Sequence, residues 1–255
     1  MHRFFMAKIA EKGQPIIFDR EQSRHIRKVL RLRGGTEIEA FDGQGGVCRA
    51  VLRDVNAEKI IAEVTELLHE ERESPLKVIL CQGLAKGERM DTILQKAVEL
   101  GAAGFQPFIS RHAVVELSGE RAEKKMRRWQ SIVLEACKQC RRNTIPPVAE
   151  LLGFNALLNV IGAQPAIMLY ENETARSLKQ VLQQQREDWR GQSLYLIVGP
   201  EGGFAPEEAE LAQARGIHLA GLGPRILRTE TAGPAALAAI MYEFDGLGKG
   251  LGAEQ

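Results

Sequence analysis

GLGPRILRTETAGPAALAAIM, residues 221–241, joins a glycine- and proline-rich turn to a run of small residues. Gly221, Gly223 and Pro224 open it, Ile226, Leu227 and Arg228 follow, and then comes Thr229-Glu230-Thr231-Ala232. Glycine lets backbone approach a ligand closely. Thr229 or Thr231 is suited to N-cap the small-residue helix, because a hydroxyl can accept from a free backbone N–H. Pro234 fits that helix near its start. About twenty residues upstream, Val198-Gly199-Pro200-Glu201-Gly202-Gly203-Phe204 forms a second such turn after the apolar run Leu194–Val198. Two Gly-Pro turns, each following an apolar strand, point to a ligand pocket at the strand ends of an α/β sheet. The plainer alternative is two ordinary tight turns.

Working outward, residues 76–222 read as strands alternating with helices. Expected strands are Leu76–Cys81, Phe105–Ile109, Ala166–Tyr170, Leu194–Val198 and Ile217–Leu222. Expected helices are Gly87–Leu100, Glu120–Arg142, Thr174–Glu187 and Pro206–Arg215. Such alternation predicts a mostly parallel sheet covered on both faces. In the longest helix Ala122, Met126, Trp129, Val133, Ala136 and Cys140 recur in steps of four and three, an amphipathic stripe. With Cys140 on that stripe and no second ligand pair, Cys137-x-x-Cys140 reads as packing rather than as a zinc or redox motif.

The first seventy residues have a different rhythm. Short strands are expected at Pro15–Phe18, Thr36–Phe41, from Val47 to Arg53, and at Ile60–Leu67, with one helix at Ser23–Leu32. Asp42-Gly43 signals a hairpin. This is a compact β barrel or sheet. Glu70–Pro75 is a charged linker, so residues 1–72 and 73–255 are the expected domains. Residues 1–33 carry nine Lys/Arg against three Asp/Glu, and residues 121–142 eight against two, in a chain of net charge +1. These blocks suit either a polyanion-binding face or ordinary solvated helix surface. His25 has no neighbouring ligand cluster, so structural or surface use competes with a metal, proton or RNA role.

Hydrophobic residues make up 44% of the chain, enough for a substantial core. No apolar run approaches the roughly 20 residues of a membrane span, and the start lacks a secretory pattern. The expectation is a cytoplasmic protein without a membrane partner. The four cysteines do not form a disulfide framework at this length. No GxxxxGK[ST], GxGxxG on the first βα turn, GxSxG or HExxH occurs. The charged residues near the turns, Glu201, Arg225, Arg228 and Glu230, suit binding of a bulky organic cofactor and positioning of a second substrate, with no metal.

The pair IVGPEGGF and LGPRILRTETA closely resembles the RsmE family of SPOUT-type methyltransferases, which methylate N3 of a uridine in bacterial 16S ribosomal RNA. The resemblance extends over nearly the whole chain. It includes Lys86-Gly87-Glu88-Arg89-Met90, Gln95-Lys96 and Glu99-Leu100-Gly101. It also includes Glu135–Cys140 with the basic residues that follow, and Arg3-Phe4-Phe5 with His25–Arg31. It implies an α/β protein with a small N-terminal PUA-like β-barrel and a C-terminal SPOUT domain with a parallel sheet and a deep trefoil knot. It further implies a homodimer, and S-adenosylmethionine as the cofactor. The implied cofactor residues are Leu169 and Tyr170; Val198, Gly199, Pro200, Glu201 and Gly203; and Leu222, Gly223, Ile226, Leu227, Thr231 and Ala232. Implied RNA contacts are Arg3, Arg24, His25, Arg27, Arg31, Lys86, Arg89, Arg111, Gln139, Arg141 and Arg142. Arg228 is the candidate for stabilising charge on the base, and Glu230 and Glu171 are candidates for accepting the N3 proton. A non-catalytic RNA-binding assembly factor is the alternative reading, as is an α/β nucleotide enzyme without an RNA substrate.

Overall fold

The structure, a computed structural model, describes residues 1–55, 59–113 and 119–247. The chain divides into two compact units, one of Met1–Glu73 with Cys137–Ile145, the other of Ser74–Ala136 with the chain from Pro146 on.

The first unit is built on strands β1 (His2–Phe5), β2 (Pro15–Ile17), β3 (Glu37–Phe41), β4 (Val47–Asp54) and β5 (Ile61–Leu68). They form a five-stranded sheet in the order β1-β3-β4-β5-β2, with β1 parallel to β3 and the other pairs antiparallel. Alternating apolar residues of β3, β4 and β5 bury Ile38, Ala40, Cys48, Ala50, Leu52, Ala62 and Val64 with Phe4, Phe18 and Ile26. The Phe4 and Phe18 rings meet edge-on at 5.2 Å. The hairpin between β3 and β4 turns over five residues, 42–46. In it Asp42 Oδ1 accepts from the Gln44 and Gly46 N–H groups, at 2.8 and 2.9 Å.

Helix α1 (Arg20–Arg24) begins before the expected Ser23, capped by Asp19, whose carboxylate accepts from Gln22 N at 2.7 Å. A π-helical turn, His25–Val29, continues it, and Arg31 follows at φ 53°. Ser23 is buried because its hydroxyl accepts from Ile60 N at 3.0 Å and donates to Phe18 O at 3.3 Å.

The second unit holds a six-stranded, all-parallel sheet in the order β11-β9-β10-β6-β7-β8. These strands are β6 (Lys77–Gly83), β7 (Gly104–Ile109), β8 (Leu152–Gly153), β9 (Ala166–Leu169), β10 (Ser193–Val198) and β11 (His218–Ala220). Its helices are α2 (Arg89–Glu99), α3 (Gly119–Cys140), α4 (Phe154–Ile161), α5 (Leu178–Gln185), α6 (Pro206–Ala214) and α7 (Thr229–Glu243). The central strands are continuous apolar runs because both faces are covered. Phe108, Phe154 and Phe204 pack together at centroid distances of 5.9 to 6.1 Å. Along α3 the buried positions are Trp129, Val133, Ala136 and Cys137, while Cys140 is half-buried. The expected stripe therefore moves by one turn position at its end, as 3.6 residues per turn requires. Burial raises the Cys137 thiol to about 12, consistent with packing rather than reactivity.

β9, β10 and β11 are neighbours in the sheet, so the loops leaving their C-terminal ends open at the same edge. From β11 the chain returns to α7, which packs on α2, α5, β10 and β6. The site lies under that return.

Candidate active site at the ends of three parallel strands

The turns are held by contacts that only glycine permits. A Cβ on Gly83 would stand 2.6 Å from Pro200 Cδ and 2.7 Å from Pro200 N, so the turn after β10 lies directly on the end of β6. Gly203 adopts φ 65°, and a Cβ there would meet Glu171 Oε1 at 2.6 Å. Gly221 is pressed against the Glu173 carbonyl, donates its N–H to Arg176 O at 2.9 Å and accepts from Leu178 N at 2.9 Å. Glu173 Oε1 in turn accepts from Ala175 N and Arg176 N, at 2.7 and 3.0 Å. The loops after β9 and β11 are thereby one piece.

Thr229 does not cap α7. It is the first helical residue and Arg228 is the N-cap, without a side-chain capping bond. The Thr229 hydroxyl donates instead to Gly199 O at 2.7 Å. Thr231 likewise leaves the cap to Arg228. Pro234 is the sixth helical residue, so the donor that would serve the Glu230 carbonyl is missing.

Between the three loops lies a cavity of about 800 Å³. Leu169, Tyr170, Glu171, Val198, Gly199, Pro200, Glu201, Gly203, Leu222, Gly223, Ile226, Leu227, Arg228, Glu230 and Ala232 all line it. Thr231 does not; one position from Ala232 on the helix, it faces solvent. Sequence reasoning missed the polar wall of Glu173, Thr174, Arg176, Ser177 and Gln180. Its signal was the Glu-x-Glu after β9 and the Ser177-x-x-Gln180 capping box, whose Ser and Gln side chains are bonded as that motif requires.

Charge alternates along the cavity. Arg89, expected among the RNA contacts, lies in the cavity wall and donates to Glu201 Oε1 at 2.5 Å, with Glu230 Oε1 3.7 Å away. Glu201 also accepts from Lys86 N at 2.8 Å. Burial alone would raise the Glu201 pKa, but these backbone donors and the Arg89 guanidinium outweigh it and hold it below the usual value. The same bond to Glu201 raises the pKa of Arg89. Arg228 extends outward, its nearest carboxylate oxygen being Glu230 Oε1 at 4.0 Å. Glu230 Oε2 is buried and has no hydrogen-bond partner.

The remaining expected RNA contacts are spread over both units. Arg24, His25, Arg27 and Arg31 are exposed just before, on and after the π turn. Lys86, Gln139 and Arg141 are exposed; Arg111 is exposed and paired with Glu207 at 3.3 Å. Arg3 and Arg142 differ from these, because neither offers its charge at the surface. Arg3 lies opposite Glu39 in the β1–β3 register; its side chain is 5% exposed and ion-paired to Glu39 at 2.7 Å. It also donates to the carbonyls of Cys137 and Arg142 and to Asn143, over the Phe41 ring. Arg142 is 9% exposed and paired with Glu73 at 2.5 Å. These contacts fasten residues 137–145 into the first unit. Among the described residues, no group of three or more His, Cys, Asp or Glu could hold a metal ion, and no helix is long and apolar enough to cross a membrane.

Comparison with known proteins bears on this geometry. Residues 72–241 match the RNA methyltransferase domain and residues 18–65 the RNA methyltransferase PUA domain. The ribosomal RNA small subunit methyltransferase E of Bacillus subtilis is 35% identical over 251 residues, covering 96% of this chain and 98% of its own. That of Synechocystis is 35% identical over 221 residues, covering 86% of this chain and 70% of its own.

The chain belongs to the ribosomal RNA small subunit methyltransferase E family.

A crystal structure of this family's member from Neisseria gonorrhoeae, bound to S-adenosyl methionine, is 37% identical with a TM-score of 0.85. The match covers 94% of this chain and 97% of that one. Family membership settles the architecture as an N-terminal PUA domain and a C-terminal α/β domain with a parallel sheet. It also makes the chain an RNA methyltransferase.

Proposed function

We propose that this protein transfers the methyl group of S-adenosylmethionine to N3 of a uridine in 16S ribosomal RNA, as a cytoplasmic homodimer. The observation that carries this reading is the cavity at the ends of β9, β10 and β11, in a chain of this family. Its walls suit the cofactor. Leu169, Val198, Leu222 and Leu227 offer apolar surface to a purine, the glycine turns admit close backbone approach, and carboxylates face a cationic sulfonium and amine. When bound, S-adenosylmethionine supplies an already activated methyl group, so the protein's part is alignment and electrostatics.

Uridine N3 must lose its proton to attack. Glu230 is the better acceptor of the two carboxylates, because its Oε2 is buried beside the cavity without a partner. Glu171 is exposed, its carboxylate lying close against Gly203. As the proton leaves, negative charge grows on the uracil oxygens, and the Arg228 guanidinium offers a fork of donors to them. Arg89 holds Glu201 and Glu230 on one side of the cavity. On the first unit, the exposed Arg24, His25, Arg27 and Arg31 are the proposed RNA contacts, with Lys86, Gln139, Arg141 and Arg111 contributing from elsewhere in the chain.

The dimer reading is supported by α7. Thr231, Ala235, Ala239 and Tyr242 share one exposed face without a charge, and Tyr242 is 78% exposed. A second copy would cover it. The deep trefoil knot is supported by the return of residues 221–228 from edge strand β11 to α7 on β10 and β6, across strand ends already laid down.

The test is mass mapping of methylated nucleosides in 16S RNA incubated, free or in small subunits, with the protein and S-adenosylmethionine. The expected product is a single 3-methyluridine. Cofactor binding without any methylated base would leave an RNA-binding factor as the reading; methylation at another atom would displace the uridine-N3 assignment.

A further inference from the structure

Gln82 is a buried polar residue of the parallel sheet that the mechanism does not use. It is fully buried near the C-terminal end of β6 and does not line the cavity. Its Nε2 lies 2.9 Å from Thr229 Oγ1, 3.0 Å from Gly83 O and 3.3 Å from Gly199 O. Carbonyl oxygens only accept, so the amide nitrogen must be the atom facing them. With that amide donating to it, Thr229 Oγ1 spends its own hydrogen on Gly199 O at 2.7 Å. The result is a relay from the β6 amide through the Thr229 hydroxyl to the Gly199 carbonyl. Gly199 opens the turn after β10, and Thr229 closes the turn after β11. Both of those residues line the cavity.

The arrangement carries a cost. Gln82 Oε1 is buried and has no partner, and an unmet buried acceptor disfavours the folded state. An apolar residue would fill this strand position without that penalty. An amide retained on such terms has another use.

We propose that Gln82 is a positioning residue for methyl transfer. It sets the spacing of the two turns that grip the cofactor while touching neither cofactor nor RNA. The inference rests on reading the cavity as the S-adenosylmethionine site.

The test uses the full-length protein and the variants Gln82→Leu, Thr229→Val, Thr229→Ser and the Gln82→Leu/Thr229→Val double. S-adenosylmethionine affinity is measured by calorimetry. Backbone hydrogen exchange of residues 199–205 and 222–229 is followed in cofactor-free protein. Gln82→Leu and Thr229→Val should each weaken the cofactor about tenfold, the scale of one net hydrogen bond. Both turns should exchange faster together in either variant, and the KM for RNA should stay put. The double variant should be no weaker than the worse single, because a relay is broken only once. Thr229→Ser, which keeps the hydroxyl, should recover most of what Thr229→Val loses. Gln82→Leu with wild-type affinity and exchange would overturn the proposal, and so would fully additive losses in the double. If Gln82→Leu does not fold, equal affinities for Thr229→Val and Thr229→Ser sink the relay. A wild-type protein that binds no S-adenosylmethionine defeats the proposed function instead, and the exchange comparison still decides this inference.

Discussion

At Arg228 two uses of one guanidinium can be told apart. Its side chain is 82% exposed and its closest carboxylate oxygen is 4.0 Å away on Glu230. An ion pair that open and that long contributes little, so the charge remains available to a substrate at the cavity. A contact to a uracil oxygen would strengthen as N3 loses its proton, since charge-assisted hydrogen bonds are roughly twice as strong as neutral ones. That is transition-state stabilisation, which raises turnover rather than ground-state affinity. Arg228→Ala should lower single-turnover methylation by about 100-fold, the scale of a lost electrostatic donor, while cofactor affinity changes far less. Arg228→Lys should recover little, because a point charge cannot replace the fork. A stable, fully active Arg228→Ala protein would remove the residue from the mechanism. Arg3 shows the limit of sequence at this scale. It sits in a basic block and reads as a surface cation, but its partners Glu39 and Asn143 come from distant segments. Burial lowers its pKa, with Glu39 opposing that shift, and nothing local in the sequence signals either.

The turns are legible as elements because glycine and proline mark them, and what they require can be tested singly. Gly83 ends β6 where Pro200 crosses, and a Cβ there would collide with backbone as well as ring. Gly83→Ala should therefore displace the Gly199–Gly203 turn, weaken S-adenosylmethionine by at least about tenfold on the scale of overpacking costs, and lower the melting temperature. Gly191→Ala makes the contrast: a Cβ there meets nothing within 4 Å, but φ is 75°, so it should lose stability without losing cofactor affinity. Equal cofactor affinity in Gly83→Ala and wild type would refute the argument. The alternating strands and helices around these turns followed from period and length. Helix α4 did not, because Phe154–Ile161 is a short, nearly all-apolar run whose N-cap Gly153 makes no side-chain bond. The π turn at His25–Val29 has no sequence signature, since its bonding differs from an α-helix only in register. The misplaced cap has a physical cause: the Thr229 hydroxyl has a stronger obligation to Gly199 and Gln82.

Across the whole molecule, the cavity belongs entirely to the second unit, while the exposed basic cluster around the π turn belongs to the first. The two activities should therefore separate by substitution. Deleting residues 1–72 is a poor way to do it, because Arg3 donates to the carbonyls of Cys137 and Arg142 and to Asn143, whose amide donates to Glu70 O. Charge removal on a folded protein is cleaner. Arg24, Arg27 and Arg31 are exposed within and beside the π turn, and their replacement by Ala leaves the sheet and its core untouched. Each lost phosphate contact to single-stranded RNA lowers the slope of log affinity against log salt by about 0.7. The triple variant should then lose about 2 in slope if all three residues touch phosphate. Methylation at physiological salt should fall at least tenfold, and S-adenosylmethionine affinity should not move. Arg49→Ala and Arg53→Ala supply the control. They remove exposed cations of the same unit that are already paired with Glu66 and Glu63, at 2.7 and 3.0 Å. The net charge change per residue is the same, so a general electrostatic attraction predicts equal effects, whereas a specific RNA face predicts none. An equal loss of salt slope per residue in both sets would show that the basic surplus acts as diffuse charge, and the π turn would lose its assignment as the RNA contact.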